Sequence, residues 1–223
     1  MIEPETKPIL YTSAGSRGLR VSWIAAELGV ELDYRMLPFP PRTLAREYLD
    51  VNPLGTVPAL LVNGCLMTES CGITEYLAGR FGAGTLAVSP DEADYPAYLD
   101  FLHHADATVT FPQTVYLRFV KFEPELGLQA AGEAYADWFA KRLRKTEFRL
   151  ETREFLCSGR FSAADVAVGY ALYLSRLNGL HTHLTPILAD YLDRLTARPA
   201  FARAIATEEA AAASQGVTSP GKG

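Results

Sequence analysis

The chain reads as an α+β protein in two parts: a mixed α/β domain over residues 1–84, then an all-helical domain over 91–213. Three observations predict this. Apolar runs and turn signals in the first eighty residues alternate in the order β-α-β-(α)-β-β-α. Between Gly82-Ala83-Gly84 and Ser89-Pro90 the composition shifts to linker residues. Beyond Asp91, apolar residues recur at helical spacing.

Ile9-Leu10-Tyr11-Thr12 is a short β-prone run that ends in the Ser/Gly-rich turn Ser13-Ala14-Gly15-Ser16. Val21, Ile24, Ala25 and Leu28 follow at three- and four-residue steps, so a helix spans about Leu19 to Leu28, with Gly29 at its C-cap. Leu32 to Leu37 reads as a second strand, stopped by Pro38-Phe39-Pro40-Pro41. A short helix over Thr43 to Leu49 precedes Asn52-Pro53. Ala59-Leu60-Leu61-Val62 and Cys65-Leu66-Met67-Thr68 flank Asn63-Gly64, a pair that tolerates positive φ and signals a hairpin. A helix from Ser70 to Phe81 closes this part, whose element order describes a compact mixed sheet of the thioredoxin-like kind.

Helical runs are predicted near 92–120, 130–156, 163–177, 186–196 and 199–213, with Pro112 bending or breaking the first. Ser162-Ala163-Ala164-Asp165 reads as a capping box, and the small, polar stretch from Ser214 to Gly223 as a frayed tail.

Composition narrows the function. Of the 223 residues, 48% are apolar and 21% charged, enough for a sizeable core. A formal charge of −5 argues against nucleic acid as a partner, because phosphate binding needs clustered Lys and Arg. The run Lys141-Arg142-Leu143-Arg144-Lys145 reads as a solvated helix face. No apolar stretch approaches the ~20 residues that span a bilayer, and Met1 to Lys7 lacks the pattern of a secretory signal, so the expected location is cytoplasmic, with no membrane partner. Three cysteines without C-x-x-C spacing predict reduced thiols rather than disulfides or zinc. His103-His104 points to two different helix faces, His181-Thr182-His183 reads as a polar turn, and no metal is expected.

Three segments carry chemistry: Tyr11-Thr12-Ser13-Ala14-Gly15-Ser16-Arg17-Gly18-Leu19-Arg20, Asn52-Pro53-Leu54-Gly55-Thr56-Val57-Pro58, and Thr68-Glu69-Ser70-Cys71-Gly72-Ile73. In this order they resemble the cytosolic glutathione S-transferase family, in its bacterial, serine-type, theta-, zeta- and beta-like forms. The likeness runs to about Ala210. It implies a thioredoxin-like domain that binds glutathione as co-substrate, followed by an all-helical domain contributing the electrophile site. It also implies a homodimer engaged in detoxification.

Theta- and zeta-like members carry a catalytic Ser four residues before an Arg, which is how Ser16 stands to Arg20. A hydroxyl at a helix start can donate to a thiolate where unpaired N–H groups already favour an anion. Lowering a thiol pKa from its ordinary value of about 8.5 by roughly two units takes about 2.7 kcal/mol, within reach of a charge-assisted hydrogen bond plus a helix terminus. Ser16 can equally serve as a plain N-cap. Ser13 and, more weakly, Tyr11 are competing hydroxyls.

The resemblance further implies a cis bond before Pro58, which exposes the N–H and C=O of Val57 to glutathione's cysteinyl backbone. Ser70 would hold the γ-glutamyl carboxylate and Glu69 the amino group. Thr56 stands where relatives often carry a cation, so Arg42 is the candidate partner of the glycyl carboxylate. His104, Thr108, Phe111 and Val115, at helical spacing, are candidates for the electrophile pocket. A glutathione-dependent isomerase or ether-cleaving lyase remains an alternative, although Gly15-Ser16-Arg17 departs from the zeta-like Ser-Ser-Cys. A non-catalytic glutathione-binding protein is a third.

Overall fold

A computed structural model describes residues 7–218. Residues 1–6 of the expected non-signal N-terminus, and residues 219–223 of the expected tail, lie outside the described residues. Contacts divide the chain into two units, 1–83 with 197–223, and 84–196.

The first unit is built on four strands, β1 (Ile9–Thr12), β2 (Asp33–Met36), β3 (Ala59–Val62) and β4 (Cys65–Met67), in the order β2-β1-β3-β4. β1 pairs parallel with β2 across α1 (Leu19–Leu28), and antiparallel with β3, while β3 and β4 form the hairpin. Asn63 (φ 48°) and Gly64 (φ 75°) both adopt the left-handed region the hairpin turn requires. The expected helix over Thr43–Leu49 is instead α2 (Pro41–Leu44) followed by a 3₁₀ turn, Arg46–Asp50. α3 runs from Ser70 to Phe81, as its periodicity predicts.

The last helix, α10 (Pro199–Ser214), belongs to this unit, whereas the sequence placed residues to 213 in the helical domain. It packs on α1: Phe201 meets Trp23 edge-on at 4.8 Å, and Arg198 holds Glu27 at 2.6 and 2.9 Å. Nor is the start of the expected frayed tail loose. Gln215 accepts from the Met36 N–H (2.8 Å) and donates to the Tyr34 carbonyl (2.9 Å), so its amide occupies the open edge of β2 as a partner strand would.

The second unit contains α4 (Tyr95–His104), α5 (Phe111–Tyr116), α6 (Gln129–Arg142), α7 (Arg144–Leu150), α8 (Ala163–Asn178) and α9 (Pro186–Thr196). Two π-helical segments, Ala105–Thr110 and Leu117–Phe122, flank α5. Pro112 therefore does not break the run. The wider turn before it already changes the bonding register, and Thr110 Oγ1 donates to the Ala105 carbonyl at 2.7 Å. The capping box forms as expected: Asp165 accepts from the Ser162 N–H (2.8 Å) at the start of α8, and Ser162 receives the return bond.

Candidate functional site

The loop after β1 reaches α1 through a tight turn. The Ser16 N–H donates to the Ser13 carbonyl (3.0 Å), and the Ser16 carbonyl accepts from Leu19 (3.0 Å), so Ser16 lies in the turn that leads into α1. Ser16 Oγ accepts from the N–H of Gly18, the N-cap residue of α1, at 3.2 Å, and lies 3.3 Å from Thr12 Oγ1. The side chain is half-buried. Gly18 is required here by close approach, since a Cβ on it would lie 1.8 Å from Thr12 Oγ1. The β1 terminus and the α1 start are thus pressed together, and Ser16 sits at their junction.

Ser13 differs from Ser16. It is fully buried, and its hydroxyl has no hydrogen-bond partner among the described residues. Tyr11 is half-buried and its ring packs against Tyr48 at 5.6 Å, as a core residue does.

Val57-Pro58 is cis, as expected, and so is Phe39-Pro40, which the sequence reading did not single out. The turn before Val57 is held by its neighbour: the Thr56 carbonyl accepts from Tyr48 OH (2.8 Å) and Asn52 Nδ2 (2.9 Å). Val57 lies two residues before Ala59, the first paired residue of β3, and no backbone group among the described residues pairs with its N–H or C=O. Arg42 is exposed and stands close by, because a Cβ on Gly55 (φ 59°) would lie 2.7 Å from Arg42 Cβ.

Ser70 opens α3 and is 3% exposed, while Glu69, beside it, is exposed. Arg20, buried on α1, donates from Nη1 to Ser70 Oγ at 2.9 Å. Two of the three sequence motifs are therefore joined directly. The sequence reading used Arg20 only as a landmark; its apolar neighbours Leu19 and Val21 place it in a buried stretch, which is the signal that it must have a polar partner.

Glu208 was also missed. It projects from α10, fully buried, and accepts from the Gly15 N–H (3.1 Å) and the Ser22 hydroxyl (2.7 Å). Burial pushes its carboxyl up to about 7, against the pull of those two donors. The signal in the sequence is a Glu on the buried stripe formed with Phe201, Ala204 and Ala212.

The four electrophile-pocket candidates lie in the second unit and do not share one environment. His104 is buried, Thr108 and Val115 are half-buried, and Phe111 is 49% exposed, edge-on to Tyr135 at 6.2 Å. The π segment between His104 and Phe111 shifts the register, so a three- and four-residue spacing no longer lines up one face. His104 Nε2 has no partner among the described residues, and burial, with help from Lys145, lowers its pKa to about 4. Cys71 and Cys157 are buried and Cys65 is exposed; burial pushes the Cys157 thiol up to about 12. Among the described residues no helix is long and apolar enough to cross a membrane, and no group of His, Cys, Asp or Glu could hold a metal ion.

Comparison with known proteins agrees with this geometry. Residues 16–80 match the family model described as the glutathione S-transferase N-terminal domain. The glutathione S-transferase hmp2 of Hypomyces subiculosus is 30% identical over 128 residues, covering 54% of this chain and 59% of that protein. Glutathione S-transferase 3 of Zea mays is 25% identical over 202 residues, covering 84% and 88%. Among solved structures, the glutathione transferase URE2P6 of Phanerochaete chrysosporium, in complex with oxidized glutathione, superimposes with a TM-score of 0.79 at 25% identity, covering 92% of this chain and 98% of that one. The fold, the order of the motifs and these likenesses agree: residues 16–80 match a glutathione S-transferase N-terminal domain, and the chain as a whole is similar to glutathione transferases.

Proposed function

We propose that the chain is a glutathione transferase whose first unit binds glutathione as co-substrate and whose Ser16 holds the sulfur as a thiolate for attack on a hydrophobic electrophile. The observation that carries this reading is the bonding of Ser16. Its oxygen accepts from the Gly18 N–H and shares a 3.3 Å hydrogen bond with Thr12 Oγ1, in which either hydroxyl can donate. With Thr12 as the donor in that pair, the Ser16 proton turns to an incoming acceptor, and a thiolate is the acceptor such a site favours.

Ser70 repeats the arrangement at the other end of the site. It accepts from Arg20, so its proton and its own N–H at the start of α3 can meet the γ-glutamyl carboxylate, with Glu69 taking the amino group. The N–H and C=O of Val57 pair with the cysteinyl backbone, and Arg42 reaches the glycyl carboxylate. Thr108, Phe111 and Val115 receive the electrophile, whereas buried His104 contributes packing. Homodimerisation belongs to this reading through the family, and so does a cytoplasmic location, which suits three free cysteines.

Ser16→Ala is expected to lower conjugation of a chlorodinitrobenzene acceptor on the order of a hundredfold while glutathione still binds. Ser70→Ala should weaken glutathione binding itself by about tenfold, read by calorimetry. An unchanged rate in Ser16→Ala would exclude the assignment. The orphaned hydroxyl of Ser13 supports a second reading, in which loop movement exposes that oxygen to the sulfur. In that case Ser13→Ala, and not Ser16→Ala, is the inactive variant.

A further inference from the structure

We propose that Glu208 is a positioning residue for the sulfur-binding loop, a role that rests on Ser16 being the group that meets the sulfur. Its two carboxylate oxygens hold two separate parts of the junction: Oε2 takes the Gly15 N–H at 3.1 Å and Oε1 takes the Ser22 hydroxyl at 2.7 Å. Gly15 (φ 72°) is the residue just before Ser16, and Ser22 lies one turn into α1. A single carboxylate therefore ties the turn to the helix, and Ser16, next to Gly15 and 3.3 Å from Thr12 Oγ1, lies between the tether and the end of β1.

The carboxylate comes from α10, 193 residues along the chain from Gly15. α10 is itself anchored at both ends. Arg198 grips Glu27 at its start, and Gln215, just past its end, pairs with the edge of β2. The tether thus hangs from a fixed support. A fully buried carboxylate with two donors is costly to keep, and a simple packing residue would avoid that cost. Among the described residues no cation acts on Glu208: burial, the Ser22 hydroxyl and the Gly15 N–H set its titration, and Tyr34 of β2 feels its charge. Burial accordingly places its titration near neutrality, where charge on Glu208 would oppose thiolate formation beside it.

Three variants test this. Glu208→Gln keeps an acceptor for Gly15 and a donor for Ser22, whereas Glu208→Asp is one methylene short. Backbone amide exchange of Gly15, measured without ligand, should stay slow in Glu208→Gln and accelerate on the order of tenfold or more in Glu208→Asp. With glutathione and the chlorodinitrobenzene acceptor, Glu208→Asp should lose kcat by about tenfold to a hundredfold with little change in glutathione affinity, while Glu208→Gln stays near the parent. In Glu208→Gln the pKa of the bound thiol, followed by thiolate absorbance, should fall. The Ser16→Ala/Glu208→Asp double variant should be no worse than Ser16→Ala alone. Unchanged Gly15 exchange in Glu208→Asp, or additive losses in the double variant, would overturn the positioning role and leave Ser16 standing. If Ser16→Ala alone keeps full activity, the Ser16 reading fails, while the exchange result still decides the tether.

Discussion

Among the described residues each unit buries one carboxylate, Glu208 in the first and Asp165 in the second, and the two are treated differently. Asp165, in the second unit, receives four donors: the N–H groups of Leu156 (3.0 Å) and Ser162 (2.8 Å), the Ser162 hydroxyl (2.9 Å) and Tyr191 OH (2.8 Å). Glu208, in the first, receives two. Burial raises the pKa of both, but at Asp165 four donors oppose it, and burial together with the neighbouring Asp165 charge keeps Tyr191 protonated, well above its ordinary value. The fuller set of donors marks a group that holds a fold together. The sparser set marks one beside a loop where a ligand is expected. Buried polar networks stabilise when complete and become adjustable when they are not.

The comparison breaks first at Asp165 if it is wrong. Asp165→Ala leaves two backbone donors and two hydroxyls buried without their acceptor, and should cost about 3–5 kcal/mol, read from urea unfolding. A loss under about 1 kcal/mol would mean that this network does not anchor α8.

The loop side is sharpened by Gly18. A methyl group there would fall on Thr12 Oγ1, a fully buried side chain at the end of β1. Gly18→Ala should therefore cost about 3 kcal/mol and displace Ser16, lowering conjugation more than glutathione binding. If its activity and stability match the parent, the junction is softer than the close approach implies.

What could be read in advance follows the same division. The hairpin at Asn63-Gly64, the span of α3 and the capping box at Ser162 are local, and each is fixed by residues within a few positions of one another. Ser16, Val57 and Ser70 were legible because each sits in a short motif. Glu208 on Gly15, Arg20 on Ser70 and Gln215 on β2 were not, because periodicity reports which face is buried and not what it meets. Helical spacing also misled at His104 and Phe111, where π-helical segments change the register without a sequence signal as plain as Pro or Gly.

The smallest effect separates the two units by pH. The Glu208 carboxyl is raised to about 7 from an ordinary 4.5, so between those values the folded protein keeps a proton that the unfolded chain has released. Its contribution is fully present below pH 4.5 and is lost as pH rises through about 7. His104 runs the other way: lowered from 6.5 to about 4, it contributes stability above pH 6.5 that is lost as pH falls toward 4. Over the shared window from 4.5 to 6.5 the two slopes oppose each other, each on the order of 2 kcal/mol, so the parent should show little net change. Glu208→Gln removes one of them: relative to the parent, its stability should climb by about 2 kcal/mol from pH 4.5 to 6.5, measured by urea unfolding. A difference from the parent that stays constant over this window would mean that burial does not hold the proton on Glu208, while the matching His104→Gln comparison reads the opposite slope from the orphaned Nε2.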